Sequence, residues 1–288
     1  MKKYLKLMRV HHYLKNFLVF VPLFFSGDFT QMEPLLTTIF SFIAFCLVTS
    51  VVYIINDISD VEEDRLHPTK CKRPLASGAI SITTGKFLAV GLLVAAFLIL
   101  VLCKINSVGP YISLLVYLLL NLAYSKGLKH YPIIDIVILS SGFVLRVVYG
   151  ATVNNITISN WLYLTIIAGS LYLGLGKRRN ELQRLSHTSR KVLKHYNINF
   201  LDKNMTMAMT LATVFYALWT VDPLTVQKTA NNYLVLTVPL ILIILMKYSL
   251  NIEGDSDGDP VEVILKDKIL VGLVLSYVLI VVGILYVA

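Results

Sequence analysis

Asn56-Asp57-Ile58-Ser59-Asp60-Val61-Glu62-Glu63-Asp64-Arg65-Leu66-His67-Pro68, continuing through Thr69-Lys70-Cys71-Lys72-Arg73-Pro74 to Gly78, decides how this chain is read. It begins where a long apolar segment, Ile39 to Ile55, gives out, so its acids sit at or just inside a membrane surface. On a helix of about 3.6 residues per turn, offsets of three and seven return to nearly the same angle, which puts Asp57, Asp60 and Asp64 on one face. Clustered like charges need a counter-ion. Oxygen donors in that pattern suit Mg²⁺, a hard ion that keeps several waters and bridges a few carboxylates to substrate phosphates. An acidic patch at a helix end is ordinarily a solvated face. Here Arg65, Lys70, Lys72 and Arg73 follow within one loop stiffened by Pro68 and Pro74. Acids to hold metal beside cations to hold phosphate oxygens read as a phosphate site, with a diphosphate as the natural substrate.

Outward from this stretch the chain is 56% hydrophobic and 15% charged, with a mean hydropathy of +0.71, which excludes an ordinary soluble domain. Apolar runs predict an all-α, polytopic membrane helical bundle of about nine transmembrane helices, forming a single membrane-embedded domain over 1–288. The expected spans are Leu14 to Phe25, Leu35 to Ile58, Ile82 to Cys103, Val108 to Tyr124, Pro132 to Gly150, Asn160 to Gly176, Met205 to Val221, Tyr233 to Leu250 and Ile269 to Val287. The first is short and opens from a basic interfacial segment without a signal-peptide cleavage pattern. Of the 26 Lys and Arg, only Lys104 and Lys228 fall in the alternate loops, and Arg146 lies within a span. The N-terminus and the acidic stretch are therefore expected on the cytoplasmic side of the cell (inner) membrane, with the C-terminus outside. A net charge of +9 spread over several loops is no nucleic-acid footprint. Cys46, Cys71 and Cys103 show neither ligand nor pairing spacing, and the histidines, His187 among them, show no zinc pattern.

Tyr124, Lys126 and Lys129 cluster at the next basic boundary, followed by Asp135 about one turn into the fifth span. A carboxylate at that depth is expensive and is a functional candidate. Arg146, eleven residues on at nearly the same angle, is expected to face the bundle interior with it, either paired through another helix or lining a polar cavity. Lys177, Arg178 and Glu181 share a helical face after the sixth span, where surface ion pairing is the plain alternative. Small residues such as Ser140, Ser141, Gly142, Gly150, Gly174 and Gly176 permit close helix packing, and with it a homo-oligomer. Glu253 to Glu262 superficially resembles a calcium loop but lacks the flanking helices and final ligand of an EF-hand.

Taken together, these residues resemble the UbiA superfamily of intramembrane prenyltransferases. Asn56, Asp57, Asp60 and Asp64 match its first aspartate-rich motif. In place of the second, the chain has Gly176-Lys177-Arg178-Arg179-Asn180-Glu181. The pattern is similar to the decaprenyl-phosphate phosphoribosyltransferase branch at Lys15-Asn16, at Asn56 to Gly78, at Tyr124-Ser125 with Leu128-Lys129-His130, at Asp135, Ser141 and Arg146, at Gly176-Lys177-Arg178 with Glu181, and at Gly258-Asp259-Pro260-Val261-Glu262. The resemblance implies transfer of 5-phosphoribosyl from phosphoribosyl diphosphate to a polyprenyl phosphate lipid, with release of diphosphate. Asp57, Asp60 and Asp64 would hold Mg²⁺, helped by Asn56 and by Arg73 or Lys70, while Asp135 would stabilise charge on the ribose or bind a hydroxyl. Lys126, Lys129, Arg146, Lys177 and Arg178 are then candidates for the donor 5-phosphate and the lipid phosphate, with Arg65, Tyr124 and Glu181 in the same substrate-binding set and Lys15 with Asn16 near the lipid headgroup. Two other readings stand beside this one: prenyl transfer from a polyprenyl diphosphate to a small or aromatic acceptor, and a transporter whose pathway is lined by Asp135 and Arg146.

Overall fold

The computed structural model describes residues 2–184, 191–229, 231–254 and 258–287, and among these every regular element is helical. In chain order the α-helices are α1 (Lys2–Leu7), α2 (Val21–Ser26), α3 (Met32–Ser59), α4 (Val61–Leu66), α5 (Ile82–Leu102), α6 (Gly109–Ser125), α7 (Ile134–Val153), α8 (Asn160–Arg184), α9 (Ile198–Thr220), α10 (Pro223–Thr229), α11 (Val238–Glu253), α12 (Pro260–Lys266) and α13 (Lys268–Tyr286). Tighter 3₁₀ turns fill Val10–Phe20 and Tyr233–Thr237. Each expected apolar segment is therefore helical, with differences at the ends. The first is a 3₁₀ run joined to α2, and the sixth continues well past Gly176 as α8. Five helical segments among the described residues are long and apolar enough to cross a membrane: α3, α5, α7, the Tyr233–Glu253 run and α13. A sixth crosses if α9 and α10, bent by 56° at Val221-Asp222, form one broken span, and α6 is apolar but shorter.

The outward faces say what solvent they meet. α13 and α5 are strongly apolar along their length, yet little of either is buried inside the protein. Apolar surface left outside on that scale belongs in hydrocarbon, where a helix satisfies its own backbone. The protein is an integral membrane protein.

The chain divides into two compact units. The first comprises residues 1–23, 28–129 and 145–156. In it α3 packs chiefly on α5, around Val48, Val51, Ile54, Ala89, Ala96 and Leu100. Ser81 starts α5 by accepting the Thr84 amide at 3.1 Å. Gly150 lies against the Val19 carbonyl so closely that a Cβ would strike it. The second unit comprises 24–27, 130–144 and 157–288. Its main interface is α8 on α9, centred on Tyr172, Leu175, Leu201 and Met205, with Tyr248 and Ile252 from α11. Asn197, Asp259 and Asp267 cap α9, α12 and α13 through their side-chain oxygens.

Candidate active site

In the first unit α3 does not run through the acidic stretch. It ends at Ser59, and Asp60 sits at φ −97°, ψ 10° between α3 and α4, with its amide on the Asn56 carbonyl at 3.0 Å. The uninterrupted helical face expected for the three aspartates is thus broken at its middle member. Asp57 and Asp64 are buried, and one nitrogen of Arg73, Nη1, reaches both, at 3.2 Å and 2.5 Å. Their carboxylates accordingly face one point, where a cationic group now lies. Asp60, half-buried, pairs instead with Lys129 Nζ at 3.1 Å. Arg9 donates to Asp57 at 2.6 Å, a partner outside the expected set. Asn56 Oδ1 accepts the Ser125 hydroxyl at 3.0 Å, which ties the motif to the end of α6. His67 shapes the following loop by accepting the amides of Thr69 and Lys70 on Nδ1, at 3.2 Å and 3.4 Å. Arg65 pairs not with the three aspartates but with Glu62 at 2.9 Å, and donates to the Ala76 carbonyl at 3.4 Å. Lys126 is exposed beyond α6, while Lys15 and Tyr124 are half-buried.

Arg146 is also in this unit and has a deeper setting. Its Nε donates to Asn16 Oδ1 at 2.8 Å and its Nη2 to the Tyr117 hydroxyl at 3.2 Å. The guanidinium lies over the rings of Phe45 and Tyr117, 5.3 Å and 5.2 Å from their centroids. Asn16 in turn donates to Cys46 Sγ at 3.1 Å and is fully buried. Asn16 is therefore part of the buried Arg146 cluster.

The second unit holds its own polar cluster. Asp135 and Arg178 are both fully buried and meet at 2.5 Å through Oδ2 and Nε. Asp135 Oδ1 accepts the Tyr196 hydroxyl at 2.5 Å, and that hydroxyl accepts the Ile133 amide at 2.6 Å. Burial first, and the Asp135 hydrogen bond next, raise the Tyr196 phenol well above its ordinary range, so it stays a donor. Arg178 also pairs with Glu181. The pairing weighed for Arg178 and Glu181 forms with the cation fully buried, because α8 carries Arg178 into the protein while Glu181 stays half-buried. Arg179 reaches Asp202 at 2.5 Å, and Lys177 and Asn180 receive Gly258, whose φ of +68° turns the chain onto α8. Asp135 and Arg146, expected to share an interior face, are held by separate sets of partners. His187, Arg190 and the Asp255-Ser256-Asp257 part of the acidic loop lie outside the described residues.

The sequence matches the UbiA prenyltransferase family over residues 18–266. The chain belongs to this family. Two relatives in it are a decaprenyl-phosphate phosphoribosyltransferase of Mycolicibacterium smegmatis, 35% identical with 95% of this chain and 89% of that protein covered, and one of Corynebacterium glutamicum, 34% identical with 98% and 86% covered. A UbiA homolog from Archaeoglobus fulgidus, solved with DMAPP and Mg²⁺, superposes with a TM-score of 0.72 at 16% identity, over 99% of this chain and 100% of that one. The likeness at that identity is one of fold.

The acidic stretch offers part of a ligand set for a divalent cation. Among the described residues no three acidic, His or Cys side chains converge as a ready cage. Asp57 and Asp64 do converge, on Arg73 Nη1. Two carboxylates completed by phosphate oxygens and water are the ordinary ligand set for Mg²⁺.

Arg9 and Tyr196 are the functional candidates that sequence reasoning missed. Arg9 was one cation in a basic N-terminal run, and Tyr196 carried no local signal, since its partner Asp135 is 61 residues away.

Proposed function

We propose that the protein transfers a 5-phosphoribosyl group from phosphoribosyl diphosphate to a polyprenyl phosphate, giving a polyprenyl-phosphoryl-5-phosphoribose and diphosphate. The observation that carries this reading is the near-full-length similarity to two phosphoribosyltransferases of that description, joined to a first unit in which buried carboxylates and guanidinium groups lie in contact. An oxygen of the lipid phosphate attacks C1 of the ribose as the C1 to diphosphate bond breaks. The nucleophile is already anionic at neutral pH, so the site has no need of a general base. Asp57 and Asp64, with Asp60 beside them, would hold Mg²⁺. When bound there, the ion neutralises negative charge on the leaving diphosphate.

The chain's own residues supply the rest. Arg73, Lys70 and Lys129 offer charge-assisted hydrogen bonds to donor phosphate oxygens. Asn56, fixed by Ser125, orients the start of the motif. In the second unit both Asp135 oxygens are engaged within the protein, so its role is to fix Arg178 rather than to touch the ribose. Lys126, Arg146, Lys177 and Arg178 remain the proposed cations for the 5-phosphate and the lipid phosphate, with Lys15, Arg65, Tyr124 and Glu181 supporting them. The whole chain acts as one transferase, with its acidic stretch facing the cytoplasm, as the distribution of Lys and Arg supports.

The test supplies purified protein with phosphoribosyl diphosphate, a polyprenyl phosphate and Mg²⁺, and follows diphosphate release and the mass of the lipid. A lipid heavier by one phosphoribosyl unit is expected. It should fall by about two to three orders of magnitude in rate with Asp57→Asn, the scale of losing a main electrostatic contributor. Transfer of a prenyl chain from a polyprenyl diphosphate to a small acceptor, with the phosphoribosyl lipid absent, would keep the family and overturn the reaction.

A further inference from the structure

Arg9 stands in an unusual setting. Its backbone is left-handed, at φ 51° and ψ 48°, a region that residues bearing a Cβ enter at a cost. Neighbouring contacts hold it there. Lys3 Nζ donates to the Ala79 carbonyl and Lys6 Nζ to the Lys72 carbonyl, both at 3.0 Å, while the Ser50 hydroxyl donates to the Met8 carbonyl at 3.0 Å. The N-terminal segment is thereby strapped to α3 and to the loop that carries Arg73. From this strap the Arg9 guanidinium lies over the Tyr53 ring, 4.7 Å from its centroid, and reaches Asp57 Oδ1 at 2.6 Å. That same oxygen accepts from Arg73. The Asp57 side chain is 3% exposed whereas the Arg9 side chain is 19% exposed, so the cation is the member of the pair that opens to incoming ligand.

We propose that Arg9 is a counter-ion gate on this carboxylate. It neutralises Asp57 while the site is empty of metal, and turns to diphosphate oxygens when metal and diphosphate enter together. The reason is electrostatic. A bare divalent cation approaching Asp57 meets two guanidinium groups already in contact with its target, whereas a metal diphosphate complex is a net anion that both guanidinium groups attract. Metal is then admitted with the donor and excluded without it. The proposal rests on reading the acidic cluster as a metal–diphosphate site.

The experiment is equilibrium dialysis of metal-free, monodisperse protein against Mn²⁺, alone or with equimolar inorganic diphosphate, with retained manganese measured after acid release. The wild-type protein should retain manganese tightly only with diphosphate. Arg9→Gln should bind Mn²⁺ alone about tenfold more tightly than wild type, the scale on which a contacting charge shifts a carboxylate equilibrium, and should lose most of its dependence on diphosphate. Arg9→Lys, which keeps the charge, should stay close to wild type. Tyr53→Leu, which removes the ring beneath the guanidinium, should move towards Arg9→Gln by a smaller factor. An unchanged or weaker affinity for Mn²⁺ alone in Arg9→Gln, or equal tightening in Arg9→Lys, overturns the gate and leaves the metal site standing. No retention by wild type in either arm overturns the metal site, and the gate with it.

Discussion

Asp135, Arg178 and Tyr196 are a buried polar network whose members depend on one another. Removing one partner of a buried ion pair leaves the other charged in a medium that solvates it poorly, at a cost of about 3–5 kcal/mol. Asp135→Asn should therefore lower unfolding stability in detergent on that scale, even though Arg178 keeps Glu181. Tyr196→Phe removes a neutral donor and leaves the Ile133 amide without its acceptor, which costs about 1–3 kcal/mol. Thermal unfolding of the two variants should rank them in that order, and an equal or reversed ranking would remove the charge-based account. Asp135 was legible as a buried polar position because a carboxylate inside an apolar run is costly wherever it falls. Its partners were not legible, since Arg178 and Tyr196 lie 43 and 61 residues away and no periodicity joins them. Arg146 carried the same signal, and the same limit hid its contacts with Asn16 and Tyr117.

At the scale of elements, close approach and capping make two further predictions. Gly150 on α7 faces the Val19 backbone, which cannot rotate aside as a side chain can, so Gly150→Ala should cost about 1–3 kcal/mol through overpacking. Gly91 on α5 has open space around its Cβ position, and Gly91→Ala should be neutral or stabilising by about 0.5–1 kcal/mol. Chemical or thermal unfolding of the pair separates a packing role from a mere preference for small residues. Asp267 caps α13 by accepting the Ile269 and Leu270 amides at 2.8 Å and 3.0 Å, and pairs with Lys247 at 2.7 Å. The Lys247 hydrogen bond first, then the Leu270 amide, lower its carboxyl from 3.8 to about 2. A group lowered on folding stabilises above its unfolded value and loses that contribution as pH falls through the folded one. The cap's contribution to stability should therefore be lost between about pH 4 and pH 2, and the pH dependence of thermal unfolding over that range should shrink in Asp267→Asn. Helix positions were legible because apolar runs are long, whereas the break at Asp60 was not, because its acids fit a continuous helix equally well.

For the whole molecule, the distribution of charge predicts sidedness, and native cysteines can report it. Cys71 and Cys103 are half-buried while Cys46 is buried. Cys71 lies in the basic loop after α4, and Cys103 ends α5 beside Lys104, in one of the sparsely charged loops. A membrane-impermeant maleimide should label Cys103 from outside intact cells and Cys71 only in inverted vesicles, with Cys46 silent in both. Labelling of Cys71 from outside would invert the orientation. The family and the helical membrane architecture were legible from the acidic stretch and the apolar runs together. The division into two units was not, because α7 begins in the second unit and belongs to the first from Leu145 onward.

The N-terminal strap also has a consequence for how the protein is made. Arg9 leaves the ribosome 48 residues ahead of Asp57, Lys6 is 66 ahead of Lys72, and Lys3 is 76 ahead of Ala79. At about 5–20 residues per second these intervals last several seconds. For that time the strap has nothing to close on, because each of its partners lies on a part of the chain still to be made. Closure of the strap is thus a timed event in biogenesis, set by translation rather than by ligand.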